Sequence, residues 1–287
     1  MDVEVRAASS DEVVLLQDWA LREGWGAGVD DVAAFHTADP DGFFLAWVGS
    51  RPVGSISAVR YAPDYSFVGY YIVDPELRGR GIGHALFDAA LQRIDGASSG
   101  LDGVPEQIAT YASLGYELAH LTPRYQGDVA LIAAALAGDA LDVRRITDAD
   151  LDAIVDYDAA HCPSPREAFA RSWYAEGSPR TSLFATRDSR VCGIATVRPM
   201  IGGGSRIGPL FADDETVARA LLGACATSAQ FFGDQIAIDV PEPNGAAIEL
   251  VSGLGMTSTF ACGRMYRGPV RELPLTQIWG STSFELG

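Results

Sequence analysis

The sequence predicts an α/β (α+β) fold that is present twice in tandem. Three observations lead there. Residues 68–91, VGYYIVDPELRGRGIGHALFDAAL, read as strand, glycine-rich loop and helix in immediate succession. Short runs of aromatic and β-branched residues alternate along the chain with runs whose apolar residues fall at helical spacing. Motifs of the first half also return in the second half at a nearly constant distance, the mark of a copied unit.

Taken in order, residues 3–6 (VEVR) form a first strand. Residues 11–23 place Val13, Val14, Leu16, Trp19 and Ala20 on one helical face, with Ser10 or Asp11 as N-cap. The run Gly24-Trp25-Gly26-Ala27-Gly28 ends that helix. A short second helix over 31–37 turns Val32 and Phe35 inward, and Asp39-Pro40-Asp41-Gly42 is a turn. Residues 43–48 and 53–60 are strands joined at Gly49-Ser50-Arg51-Pro52. The strand over 68–73 is stopped by Asp74-Pro75, since proline has no N–H to give a ladder. From His84 the apolar residues Ala85, Leu86, Ala89 and Ala90 lie at helical spacing. A Gly/Ser-rich loop, a short strand near Leu101, a helix over 105–114 and a turn at Gly115-Tyr116 follow.

At Leu141 the chain begins again. Val5-Arg6 matches Val143-Arg144, 138 positions on, and Phe44-Leu45-Ala46 with Gly54 matches Leu183-Phe184-Ala185 with Gly193, 139 on. Val68-Gly69 matches Ile207-Gly208 at 139, and Leu114-Gly115-Tyr116 matches Leu254-Gly255-Met256 at 140. The expected domains are therefore 1–138 and 139–287. Ala85-Leu86 aligns with Ala220-Leu221 at only 135, so about four residues are missing where the first copy has its glycine loop. Asp213, Asp214 and Glu215 stand there instead, and carboxylates repel a pyrophosphate.

Length and composition narrow the classes. At 287 residues with 48% hydrophobic content the chain suits two ordinary domains with packed cores. A net charge of −17 argues against nucleic acid and anionic membranes as partners. No apolar run approaches the roughly 20 residues that span a bilayer, and the acidic start lacks a basic n-region, so a cytoplasmic location is expected. All 21 basic residues are arginine, a bias that suggests a GC-rich bacterial genome and leaves no lysine for a Schiff base. Cys162, Cys192, Cys225 and Cys262 are far apart with no histidine at ligand spacing, so reduced buried thiols and no metal are expected.

The loop Arg78-Gly79-Arg80-Gly81-Ile82-Gly83 before a helix builds an anion site. Glycines let the backbone approach a ligand, the first N–H groups of the helix have no internal partner, and the helix dipole adds positive potential. The pattern is neither the Rossmann fingerprint nor a P-loop. Arg78-x-x-Gly81-x-Gly83 after Val73-Asp74-Pro75 resembles the acyl-CoA motif of the GNAT superfamily of N-acyltransferases. The second half, with Gly208-Pro209-Leu210-Phe211-Ala212, Asp239-Val240-Pro241, Asn244 and Arg264-Met265-Tyr266-Arg267-Gly268, resembles a degenerate GNAT-like domain fused behind a catalytic one. The resemblance implies two tandem GNAT-like domains, each a mixed, mostly antiparallel sheet flanked by helices, with acetyl-CoA as co-substrate. It implies that Gly79, Arg80, Gly81, Ile82, Gly83 and His84 cradle the pyrophosphate together with Arg78, and that Tyr71, Ile72 and Val73 line the pantetheine arm and thioester. Backbone N–H groups on that strand would stabilise the developing oxyanion. The family's Glu-Gly-Trp is followed by Asn-Pro-Gly, whereas Glu23-Gly24-Trp25 here precedes Gly26-Ala27-Gly28.

Tyr111-Ala112-Ser113-Leu114-Gly115-Tyr116 matches the family pattern in which a tyrosine protonates the CoA sulfur, and its counterpart in the second copy is Val251. The base is less determined. Glu23 is the candidate, Asp30 lies in the same stretch, and a bound water could serve instead. Trp25 and Trp173 are candidates to line the acceptor pocket. The expected activity is acetyl transfer to the amine of a small molecule by direct attack in a ternary complex. The alternatives are a non-catalytic acyl-CoA-binding module whose second half binds a partner, and an acyltransferase for a longer acyl-CoA. The sequence names neither the acceptor nor the oligomeric state.

Overall fold

The computed structural model describes residues 2–94, 96–138, 141–177 and 179–287. The first copy runs β1 (Glu4–Ala7), α1 (Val14–Arg22), α2 (Asp31–Ala38), β2 (Phe43–Val48), β3 (Arg51–Ala62), β4 (Tyr65–Val73), α3 (Ile82–Ile94), β5 (Ser98–Gly103), α4 (Ile108–Ser113), β6 (Glu117–Asp128) and α5 (Val129–Ala135). The second runs β7 (Val143–Arg145), α6 (Leu151–His161), α7 (Glu167–Tyr174), β8 (Thr181–Arg187), β9 (Arg190–Pro199), β10 (Ser205–Ala212), α8 (Glu215–Ala229), β11 (Gln235–Asp239), α9 (Gly245–Gly253), β12 (Thr257–Arg267) and β13 (Ile278–Gly280). Most strand pairs are antiparallel, while β4–β5 and β10–β11 are parallel.

The repeat is visible in strand register. Val5 pairs with Ala46, Ala46 with Gly54 and Gly54 with Val73. In the second half Val143 pairs with Ala185, Ala185 with Gly193 and Gly193 with Ala212. The repeated glycine has a packing cause. A Cβ on Gly54 would stand 2.9 Å from Leu86 of α3, and one on Gly193 would stand 2.8 Å from Leu221 of α8. A helix leans on the sheet at that point in both copies. α3 can do so because Ile82, Leu86, Phe87, Ala90 and Ile94 make one buried face.

Two elements lie in a stretch for which the sequence reading names none, β6 and α5. Their register shows why they are hard to read. The strands run in the order β1-β2-β3-β4-β5-β12-β6-β11-β10-β9-β8-β7. β6 of the first copy and β12 of the second therefore each cross into the other copy's sheet: β12 pairs with β5 (Met265 with Leu101) and β6 with β11 (Tyr125 with Ile238). The two crossing strands pair with each other as well, Gly263 opposite Leu121. A division of the sequence near 138 remains our proposal. The sheet itself is not cut there, and residues 139 and 140 lie outside the described residues. The N-cap reading at the first helix is corrected: the first turn opens at Ser9, whose N–H donates to Glu12 at 2.9 Å, while α1 proper has no side-chain cap.

The tail after β12 joins the copies. In the second half the parallel β10–β11 ladder ends at Ile207 opposite Ile238, and the strands part. β13 fills that opening, pairing with Leu210 and Phe211, and the Ser281 N–H donates to Asp239 O at 2.8 Å. Residues 281–286 then run buried to the first copy. A Cβ on Gly208 would overlap the Thr282 carbonyl, and one on Gly69, its repeat partner, would overlap the Glu285 carbonyl. Gly69→Ala is expected to cost about 1–3 kcal/mol through overpacking, read as a lower denaturation midpoint at unchanged m-value.

Candidate active site

In the first half the parallel β4–β5 ladder ends at Val68 opposite Leu101. Beyond it β4 bulges. Ser55 opposes Ile72 and Ser57 opposes Gly69, so Tyr70 and Tyr71 together face Ile56. Tyr70 takes φ +48°, and its carbonyl accepts from the Ser55 hydroxyl at 2.7 Å. Here no chain fills the gap between the strands. A cavity of about 360 Å³ opens instead, lined by Gly69 to Val73, Arg78, Gly79, Gly83, Leu101, Asp102, Val104, Gln107 and Tyr111. Glu23 and Trp25 join it from the loop after α1, Phe260 and Cys262 from β12, and Phe284 from the tail.

At one end lies the glycine loop. Gly79 and Gly81 have φ of +75° and +85°, a region that penalises a Cβ. The first loop-to-helix backbone bond runs from Ala85 N to Gly81 O, so α3 begins with N–H groups that bond no carbonyl of its own helix. A Cβ on Gly83 would stand 2.5 Å from the Tyr71 hydroxyl, so this glycine is required by close approach. These features fit a pyrophosphate. Arg78 is tied down, donating to Val73 O at 3.0 Å and to Glu23 Oε1 at 2.6 Å. Arg80 is exposed and has no ion-pair partner among the described residues. His84 is exposed 3.5 Å from Asp88, and the Ile82 side chain belongs to the core.

Tyr111 is buried against Gly103, with Tyr71 and Phe87 rings 6.4 and 6.1 Å away. Burial pushes its hydroxyl well above the usual tyrosine range, and Tyr71 adds to the effect. The structure thus gathers Tyr71, Ile72, Val73, Arg78, Gly79, Gly83, Tyr111 and Glu23 on one cavity. Arg80, Gly81, Ile82 and His84 form the adjoining loop and helix start without lining it. Asp30 is drawn away by Arg180 at 2.7 Å. Trp25 lines the cavity, but Trp173 does not: it is fully buried, stacked on Phe35 and Phe169 at 5.7 and 5.2 Å. Cys262 lines the cavity as a thiol, since burial raises it far above the ordinary cysteine range.

Phe260, Cys262 and Phe284 were not legible as site residues, because they arrive from the second copy. One signal could have pointed to Phe284. Glycines at matching positions inside two strands, Gly69 and Gly208, announce a close backbone approach.

Beneath the acceptor end lies a buried ion cluster. Asp239 accepts from Arg124 Nε at 2.7 Å and from Arg206. Burial acts to raise the Asp239 carboxyl, but the two guanidiniums outweigh it and hold it below the usual range. Arg124 Nη1 donates to Trp25 O at 2.8 Å and Arg206 Nη1 to Gly26 O at 3.3 Å. Arg124 of β6 and Arg206 of the second copy, joined through Asp239, thus hold the loop that carries Glu23 and Trp25. Asp239→Asn leaves two buried guanidiniums undercompensated and is expected to cost about 3–5 kcal/mol, read by chemical denaturation.

The second copy's counterpart site is closed in three ways. The Asp214 side chain caps α8, accepting from Val217 N at 3.0 Å, and pairs with Arg187 at 2.8 Å. β13 occupies the gap between the strands. Val251, at the place of Tyr111, is buried in the core.

Known proteins resemble both halves of the chain. Residues 11–116 match the profile described as acetyltransferase (GNAT) family, and residues 154–280 match that described as acetyltransferase (GNAT) domain. Holothin acyltransferase of a Pseudoalteromonas species is 32% identical over 282 residues, covering 98% of this chain and 94% of that protein. A Pyrococcus horikoshii chain assigned to the acetyltransferases superposes with a TM-score of 0.81 at 21% identity, covering 99% and 96% of the two chains. A tandem GNAT protein from the clavulanic acid biosynthesis pathway superposes with a TM-score of 0.68 at 18% identity, covering 93% and 99%.

Proposed function

This chain belongs to the GNAT family of acetyltransferases and is an acyltransferase, and from that premise we propose that it moves an acetyl group from acetyl-CoA to the amine of a small molecule by direct attack in a ternary complex. The relative named as an acyltransferase supports catalysis over the reading as a non-catalytic module. The observation that carries the proposal is one cavity holding both the glycine cradle and Tyr111, while the other copy has lost both.

Overall the reaction forms a C–N bond, breaks the thioester C–S bond, and yields an amide, a thiol and no net change in protons. In our reading the N–H groups at the start of α3 and the side chain of Arg80 hold the pyrophosphate. Backbone along Tyr71, Ile72 and Val73 lines the acyl arm and offers N–H groups to the thioester oxygen. Tyr111, whose proton burial holds more firmly, gives it to the departing sulfur and regains one from solvent. The amine's proton passes to Glu23, directly or through water. No group of three or more potential metal ligands occurs among the described residues. No described helix is long and apolar enough to cross a membrane.

The test is an amine panel with acetyl-CoA, scored by thiol release and by mass gain of the product. Holothin belongs on it because of the relative's name, and butyryl-CoA runs alongside to test a longer acyl group. Acetylated product from at least one amine supports the proposal. Tight acetyl-CoA binding without thiol release in any arm contradicts it.

A further inference from the structure

The chemistry of the acceptor end narrows the class of amine, an inference that rests on the acetyl-transfer reading above. Trp25, Phe260 and Phe284 converge there around one guanidinium. Arg124 stands 5.5 Å from the Phe260 ring centre and 5.0 Å from that of Phe284, and the two rings are 5.9 Å apart at 56°. Arg206 stands 5.3 Å from Phe284. Both guanidiniums are almost wholly buried.

Two consequences follow. Phe260 and Phe284 each already carry a guanidinium on one face, which leaves less aromatic surface for a cationic ligand, and those guanidiniums have their own carboxylate in Asp239. Nor does the wall, among the described residues, hold a spare carboxylate for a cation. Glu23 is engaged by Arg78, and Asp102 accepts two bonds from Arg264 at 2.8 and 2.7 Å. No histidine lines the cavity. A wall of this kind is suited to a flat, uncharged ring and not to a polycation.

An amine attached directly to an unsaturated ring is neutral at neutral pH, because its lone pair is shared with the ring. It therefore reaches the attacking form without a strong base, and Glu23, already paired with Arg78, has only to take up the proton shed after attack. We propose that the acceptor is a small planar amine whose nitrogen is borne on an aromatic or heteroaromatic ring, packed among Trp25, Phe260 and Phe284. Polyamines and aminoglycosides are excluded by the same walls.

The experiment compares 5-aminoindole and p-anisidine with spermidine and tobramycin on the full chain, in two readouts. Calorimetry on the CoA complex measures binding, and product mass measures transfer. The ring amines are expected to bind at least about 100-fold more tightly than the polycations. Phe284→Leu should weaken ring-amine binding about 10-fold and leave acetyl-CoA affinity unchanged. Because Phe284 is largely buried, Phe260→Leu on the more open wall serves as the second variant, with the same expected pattern. Equal or tighter binding of spermidine or tobramycin overturns the assignment, as does binding of neither class. Ring amines that bind but are never acetylated support the assignment and count against acetyl transfer.

Discussion

Gly83→Val weakens acetyl-CoA binding about 100-fold or more while the protein stays folded. The position is the second residue of α3, where the helix presents N–H groups that bond no carbonyl of its own. A Cβ there would stand 2.5 Å from the Tyr71 hydroxyl, so a branched side chain must displace Tyr71, itself a wall of the cavity, or shift the helix start. Charge-assisted hydrogen bonds contribute about 1.5–3 kcal/mol each. Losing one or two gives the expected factor, since about 2.7 kcal/mol is 100-fold. Gly83 is half-buried at the cavity wall and outside the buried core face of α3, so stability should change less than affinity. Calorimetric titration and a melting curve measure the two quantities. Undiminished affinity in a folded variant would remove the cradle from the account.

Tyr111→Phe lowers kcat by about 100-fold, a typical loss for one proton donor, with acetyl-CoA affinity nearly unchanged. The pH profile is the more specific readout. Burial raises the Tyr111 hydroxyl above its ordinary range, so the proton is retained as pH rises and no alkaline fall should be traceable to this residue. Activity of the native protein should follow deprotonation of the acceptor amine and then stay level. A tyrosine in its ordinary range would begin to lose its proton near pH 10. Full activity in Tyr111→Phe would take the acid role from Tyr111, whereas a native profile that falls in the ordinary tyrosine range, with the fall absent in Tyr111→Phe, would contradict the raised titration.

Residues 68–91 were legible because each local signal agreed with the next. A β-branched run, an Asp-Pro stop, spaced glycines and an amphipathic helix all point to one unit. The repeat was legible because the glycines that seat a helix on the sheet recur at a fixed distance, and Gly54 and Gly193 do the same work. The crossing of β6 and β12 was not. Pairing between strands more than a hundred residues apart is set by the whole sheet, and a strand's own pattern does not name its partner. The acceptor wall was hidden for the same reason. Trp25 stood next to a recognisable motif, whereas Phe260 and Phe284 become neighbours only after β12 crosses and the tail threads between the copies. Trp173 misled because a large aromatic near a helix end serves a core as readily as a pocket.

The most direct measurement is the stoichiometry of acetyl-CoA binding by isothermal calorimetry. One molecule per chain is expected for the native protein, one bound about 100-fold more weakly for Gly83→Val, and one at native affinity for Asp214→Asn, which alters the cap of the closed copy. Two molecules per native chain, or native affinity retained by Gly83→Val, would contradict the assignment of a single cradle.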